Sequence, residues 1–138
     1  MKRDWDLIRK LLIDIEEGND FLADDPVAPQ WLDQSERVFA EQMAAYKKEQ
    51  ERLFGHLELL LENGYTDGYQ VLRGADGYFS YGVSAPRLTM AGHDLLDTMR
   101  SSKVWGWVKA TASTKGVELS FDAVKTLSAM ALKAVLGG

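Results

Sequence analysis

Apolar positions near the start of the chain recur at three- and four-residue steps. Trp5, Ile8, Leu11, Leu12 and Ile15 line one side of a helix expected over residues 3–17, with Arg9, Lys10, Asp14 and Glu17 on the other. Asp4 stands where a helix cap belongs, and Gly18-Asn19 supplies a stop. Residues 19–33 lose this rhythm. Asp24-Asp25-Pro26 and Ala28-Pro29 interrupt any helix, because the residue before a proline is driven extended. Phe21, Leu22, Val27, Trp31 and Leu32 still offer apolar anchors, so a packed loop, with or without a short strand, is expected there.

Residues 34–63 return to helical composition, with no proline and a single glycine. Phe39, Met43, Tyr46, Leu53, Leu57 and Leu60 fall on a heptad seam whose polar member is Gln50. Three arrangements fit: one helix of about 45 Å at 1.5 Å per residue, two helices with a tight turn near Tyr46–Glu49, or a short coiled-coil dimer. The second is a helix-turn-helix. Asn63-Gly64 then ends the helix.

The rhythm next shortens to two. Tyr65, Tyr69, Val71 and Leu72 read as a strand, Gly74-Ala75-Asp76-Gly77 as a turn, and Tyr78-Phe79-Ser80-Tyr81 with Gly82-Val83 as the return strand. Asp67-Gly68 offers an alternative turn. The stretch Arg87 to Asp97 converts strand to helix: Leu88 is apolar, Thr89 is the cap, and Leu95, Leu96 and Met99 share a face. Asp94 and Asp97 are expected toward the positive end of that helix dipole. A further helix begins at Lys103 and stops at Lys115-Gly116. Ser120 caps a last one, with Val124, Leu127, Met130, Ala131 and Val135 on its apolar face and Gly137-Gly138 fraying its end. A hairpin set between helices in a mostly helical chain makes a wing. The expected architecture is α+β, mostly α: a single winged helix-turn-helix-like domain over residues 1–138. Its core spans 1–100, its β-hairpin wing about 65–88, and its extra C-terminal helices 101–138.

The 138 residues suit one domain. The net charge of −5 conceals an asymmetry: residues 19–64 hold ten acidic groups and four basic ones, a net −6, while residues 100–138 hold two and six, a net +4. Such a split speaks to partners rather than to fold. There is no cysteine, hence no disulfide framework or thiolate metal site, and a reducing cytoplasm is expected. The basic start is followed at once by acids, unlike a signal peptide. No apolar run approaches the roughly 20 residues that cross a bilayer.

Four stretches, MKRDWDLIRKLL, HLELLLENGY, RLTMAGHDLLD and KVWGWVK, occur in this order from residue 1 onward. In them the chain resembles an uncharacterised bacterial and phage family, domain of unknown function 2513, to about residue 136. The last two stretches are the specific ones. The resemblance implies a small winged-helix protein of the kind carried by phages and prophages, and no established activity. The chain departs from the family at Ala44-Ala45-Tyr46-Lys47-Lys48, where members show a capped turn, and segment 19–45 is long for the family.

Chemistry is sparse. His56 and His93 are the histidines, and neither has a partner at a metal-ligand spacing. His56 is expected on a helix surface or facing a groove, and His93 at a helix start bonded to backbone or solvent. No Gly-x-Ser-x-Gly elbow or phosphate loop is present. The expectation is a non-enzymatic protein without a cofactor. A winged helix reading duplex DNA would insert residues 48–63 into the major groove, with the wing near 73–78 on the backbone. Its contacts would be Lys47, Lys48, Arg52, His56, Arg73 and Arg87. The alternative is a module that binds a host protein. Trp105 and Trp107, about 200° apart on a helix, are then the candidate interface aromatics. A homodimer would extend either surface.

Overall fold

A computed structural model describes residues 1–136, the side chains of Asp24, Val135 and Leu136 excepted. The expected fraying at Gly137-Gly138 and the placement of Val135 on the last helix's apolar face lie outside the described residues. The order is α1 (Trp5–Glu17), a 3-10 turn (Phe21–Asp24), α2 (Glu36–Glu62), β1 (Thr66–Arg73), β2 (Phe79–Leu88), α3 (Met90–Met99), α4 (Ser102–Lys115) and α5 (Phe121–Leu136). The chain is α+β and mostly helical, with five α-helices and one two-stranded antiparallel sheet among the described residues.

The caps fall where the sequence put them. Asp4 Oδ1 accepts from the Leu7 N–H at 3.1 Å, Thr89 Oγ1 from Gly92 at 3.1 Å and Ser120 Oγ from Ala123 at 3.1 Å. Gly18, Gly64 and Gly116 follow their helices with positive φ. Asp94 and Asp97 depart from expectation. They sit in the middle and last turns of α3, away from its positive end, and Asp97 meets Arg100 at 3.1 Å. The helix starts at Met90, so its first turn is complete before either carboxylate.

α2 settles the question left open at Tyr46–Glu49. It is one continuous helix of 27 residues, with no turn inside it. Nothing in Lys47-Lys48-Glu49-Gln50 opposes helix, and no glycine or proline offers a break. Only its second half is buried: Gln50, Phe54, Gly55, His56, Leu57 and Leu60 face α1 and the hairpin. The core forms where these meet Ile8, Leu11, Leu12, Leu95, Leu96, Met99, Val108 and Val124, drawn from α1, α3, α4 and α5. Arg9, expected to face solvent, instead donates from Nε to the Met99 carbonyl at 2.7 Å and from Nη2 to the Arg100 carbonyl at 3.0 Å. It satisfies carbonyls that the end of α3 leaves open.

The hairpin turns at Gly74–Gly77, where Gly74 N–H donates to the Tyr78 carbonyl at 2.7 Å. Asp67-Gly68 is not a turn but the site of a bulge. Asp67 pairs with Arg87 and Tyr69 with Val83, so Ser84, Ala85 and Pro86 loop past the single residue Gly68. A Cβ there would lie 2.6 Å from Pro86 Cα, which requires glycine. Ala85 takes up the excursion with φ 49°. The hairpin's inner face stacks Phe79 and Tyr81 on Phe54 at 5.2 and 5.4 Å, and sets Tyr69 against Phe21 at 5.6 Å.

Candidate functional site

The first half of α2 leaves the body of the domain. Ser35 caps it, its Oγ accepting from Val38 N–H at 3.2 Å. From residue 36 to 49 no residue is buried, a run of about 21 Å at 1.5 Å per residue. The seam on this arm, Phe39, Met43 and Tyr46, is half-buried. Its cover is local. Trp31 stands edge-on to Phe39 at 5.5 Å, and Gln34 Nε2 bonds the Gln30 carbonyl at 2.9 Å and Gln42 Oε1 at 3.0 Å. Residues 30–34 thus form a strap folded onto the arm's first turns. The segment 19–33 is only partly the packed loop expected: Phe21 and Leu22 are buried, but Val27, Trp31 and Leu32 are 87%, 53% and 78% exposed. Trp31 and Leu32 thus leave apolar surface open to water beside a half-covered seam.

The seam continues inward at Gln50, which is buried. Its Nε2 lies 3.5 Å from Asp25 Oδ1, and its Oε1 has no hydrogen-bond partner among the described residues. Tyr46 borders it. Burial, followed by Asp25 and Tyr78, pushes the Tyr46 phenol upward.

The six residues expected to touch DNA are scattered by their partners. Arg52 binds Asp4 at 2.7 Å and Arg87 binds Asp67 at 2.7 Å. Arg73 is clamped by two glutamates of α2, at 2.9 Å from Glu51 and 2.5 Å from Glu58, with its guanidinium 4.7 Å above the Phe79 ring. The hydrogen bonds it donates to Glu58 and Glu51 raise its pKa further, so the charge is permanent but matched. Lys47 lies 5.2 Å from the Tyr78 ring, and Lys48 is exposed. Lys47 and Lys48 are therefore the members of the set that no carboxylate neutralises.

His56 is not on a surface or in a groove. It is fully buried, because the residues before α1 cross over it. The Asp4 backbone N–H can only donate, so His56 Nε2, 2.7 Å away, is the acceptor. The proton therefore sits on Nδ1, which donates to the Arg52 carbonyl at 2.6 Å. Burial pulls the pKa of this neutral ring down, against smaller upward contributions from the Arg52 carbonyl bond and the Asp4 charge. Trp105 likewise leaves the list of surface anchors. It is buried, and its Nε1 donates to Asp6 Oδ1 at 3.0 Å, since the inward side of α4 faces α1. Trp107 is part-buried and packs on the core's margin. His93 is half-exposed at the start of α3, 3.3 Å from Glu16.

These contacts join the stretches named at the outset. Asp4 of the first meets His56 of the second. Thr89 and Gly92 of the third meet Gly64 and Tyr65 of the second: Thr89 Oγ1 donates to the Gly64 carbonyl, and a Cβ on residue 92 would lie 1.9 Å from the Tyr65 oxygen. Trp105 and Lys109 of the fourth both reach Asp6 of the first, at 3.0 and 2.9 Å. Comparison with known families matches residues 2–118 to the hypothetical proteins designated DUF2513. The chain belongs to that family. A relative in Haemophilus influenzae (strain ATCC 51907 / DSM 11121 / KW20 / Rd), an uncharacterised protein, is 30% identical over 130 residues, 93% of this chain and 92% of that one. No solved structure matches. In this DUF2513 member the four motifs supply helix caps, close approaches and cross-links between elements.

Among the described residues no three His, Asp or Glu side chains gather as metal ligands, and no helix is long and apolar enough to cross a membrane. The surface that sequence reasoning missed is the cluster of Val27, Trp31 and Leu32. Its signal was available: apolar residues in a proline-broken stretch with no periodic partner face.

Proposed function

We propose that this protein is a non-enzymatic interaction module, an accessory protein of phage or prophage type that docks a host protein on the arm of α2 and its strap. The observation that carries this reading is the run from residue 36 to 49 with no buried residue, its apolar seam capped by a half-exposed tryptophan. Isolated helix of this length is marginal in water, so its order is worth more with a partner than without. Residues 24–49 hold six acidic groups and three basic ones, which favours a partner with an apolar ridge and basic flanks. The test is capture from host lysate with Phe39→Ser and Met43→Ser variants whose circular dichroism is unchanged. Loss of one defined partner in both variants, with retention in Lys48→Ala, is the expected result. A partner captured equally by all four proteins would overturn the reading.

DNA regulation is the second reading, by the winged-helix analogy of a long helix followed by a hairpin wing and a further helix. Fold analogy is a weak warrant for function. One observation favours it: Lys2, Arg3, Lys48 and Arg52 border a common cavity of about 650 Å3 at the start of α1, although Asp4, Glu49 and Glu51 line it too. Against it, the outward side of residues 48–63 carries Glu51, Glu58 and Glu62, and the wing's Arg73 is already matched. Phosphate contact requires several unmatched cations on one face. Fluorescence anisotropy with a random duplex at two salt concentrations separates the readings. Steeply salt-dependent binding would restore DNA as the first hypothesis.

A further inference from the structure

A second concavity lies toward the bulged end of the hairpin's inner face. The turn after α1 forms one wall and the bulged half of the hairpin the other, around a cavity of about 360 Å3. Phe21, Tyr69 and Tyr81 supply aromatic walls, Val83 and Pro86 close the bulged end, and Asp20 stands at the rim. We propose that this cleft binds the cationic side chain, arginine or lysine, of a peptide partner.

The reasons are chemical. Aromatic faces attract cations through the ring quadrupole, and a carboxylate at the mouth adds a charge partner. No basic residue lines the cavity, so no internal cation already fills that role. Among the described residues neither the Tyr69 nor the Tyr81 hydroxyl has a hydrogen-bond partner, and the Asp20 carboxylate makes no hydrogen bond or ion pair. Asp20 precedes the 3-10 turn without capping it, so its charge is not committed to local structure. Burial raises the Tyr69 phenol pKa, and the charges of Asp20 and then Asp14 raise it further. The carboxylate part of that shift has the sign that attracts a cation. The bulge contributes shape: Ser84-Ala85-Pro86 swings past Gly68 and brings Pro86 to the cleft, which a regular ladder would not do.

The test is a titration of the whole protein followed by amide chemical shifts, using N-acetyl-arginine amide and N-acetyl-lysine amide. The neutral isosteres N-acetyl-citrulline amide and N-acetyl-norleucine amide are run at the same ionic strength. Saturable shifts confined to residues 18–22, 69, 81 and 83 are expected, with a dissociation constant on the order of millimolar for so small a ligand. The isosteres should bind at least tenfold more weakly. Asp20→Asn, which removes no cap, should weaken the cations about fivefold and leave the spectrum otherwise unchanged. Tyr81→Ala should weaken them further, and Phe39→Ser on the arm should change nothing. Absence of saturable shifts at these residues, equal binding of citrulline or norleucine, or indifference to Asp20→Asn would each overturn the proposal. Because the arm plays no part, this outcome is independent of the arm's partner.

Discussion

Replacing His56 with leucine tests the buried link between α1 and α2. The imidazole has no exposed surface and makes two hydrogen bonds, accepting from Asp4 N–H at 2.7 Å and donating to the Arg52 carbonyl at 2.6 Å. Leucine is of comparable bulk, so the change leaves little cavity. It does leave the Asp4 N–H without an acceptor, at about 1–3 kcal/mol, and removes a bond to a helix carbonyl worth about 1 kcal/mol. The apolar side chain returns part of this, so a net loss of about 2–3 kcal/mol is expected at pH 7.5. The wild type carries a second signature. Its folded-state His56 pKa lies below the unfolded value of 6.5, so the unfolded chain takes up the proton first. The link's stability is full above pH 6.5 and declines as pH falls toward the folded-state value, by at most about 1.4 kcal/mol per pH unit. His56→Leu has no such proton. The gap between them should therefore narrow to about 1–2 kcal/mol at pH 5.5. Urea denaturation followed by tryptophan fluorescence at both pH values, with the slope m checked for constancy, measures this directly. A variant within about 0.5 kcal/mol of wild type at pH 7.5, or one that keeps the wild-type decline below pH 6.5, would refute the account of a neutral, doubly bonded imidazole.

Other expectations follow from single contacts. Gly92→Ala places a Cβ 1.9 Å from the Tyr65 carbonyl oxygen, so the variant should lose about 3 kcal/mol or fail to accumulate as soluble protein; thermal melting reads either. Ala85→Gly relieves a left-handed alanine at φ 49° and should raise stability by about 0.5–1 kcal/mol, whereas a loss would mean that the methyl group packs usefully. Arg73→Ala should cost about 1 kcal/mol at low salt and less at high salt, because Glu51 and Glu58 then repel without their shared cation. In acid a separate window opens. Asp6 is held low by bonds from Trp105 and Lys109, and Glu16 by Arg100, so their contribution is full above about pH 4.5 and lost as pH falls through the lowered values.

Much of the fold was legible because its signals are local. Asp4, Ser120 and Thr89 announce helix starts through a side-chain oxygen three residues from the N–H it accepts. Gly18, Gly64 and Gly116 announce stops through a backbone conformation other residues resist. The three- and four-residue steps of α1 name the side that is buried, and it is the side found buried. The candidate site was less legible. Arg52, Arg73 and Arg87 look alike in sequence as free cations, but each meets a carboxylate at least 15 positions away, and no spacing rule encodes that meeting. His56 and Trp105 likewise carry no local mark of burial.

The sequence alone determined the caps and stops of most helices, the mostly helical character of the chain with its one hairpin, and the family to which the chain belongs. These rest on interactions within about four residues, or on motif order, and both are written along the chain. Tertiary structure decided which halves of those elements are covered. α2 is helical in pattern throughout, yet its leucine-rich second half is core and its first half an arm, which the hairpin meets only with its tip, at Tyr46 and Lys47. It also decided which charges remain unmatched and where the bulge at Gly68 places Pro86. Burial and ion pairing depend on which distant segments arrive at a residue, and that is fixed only when the whole chain has packed.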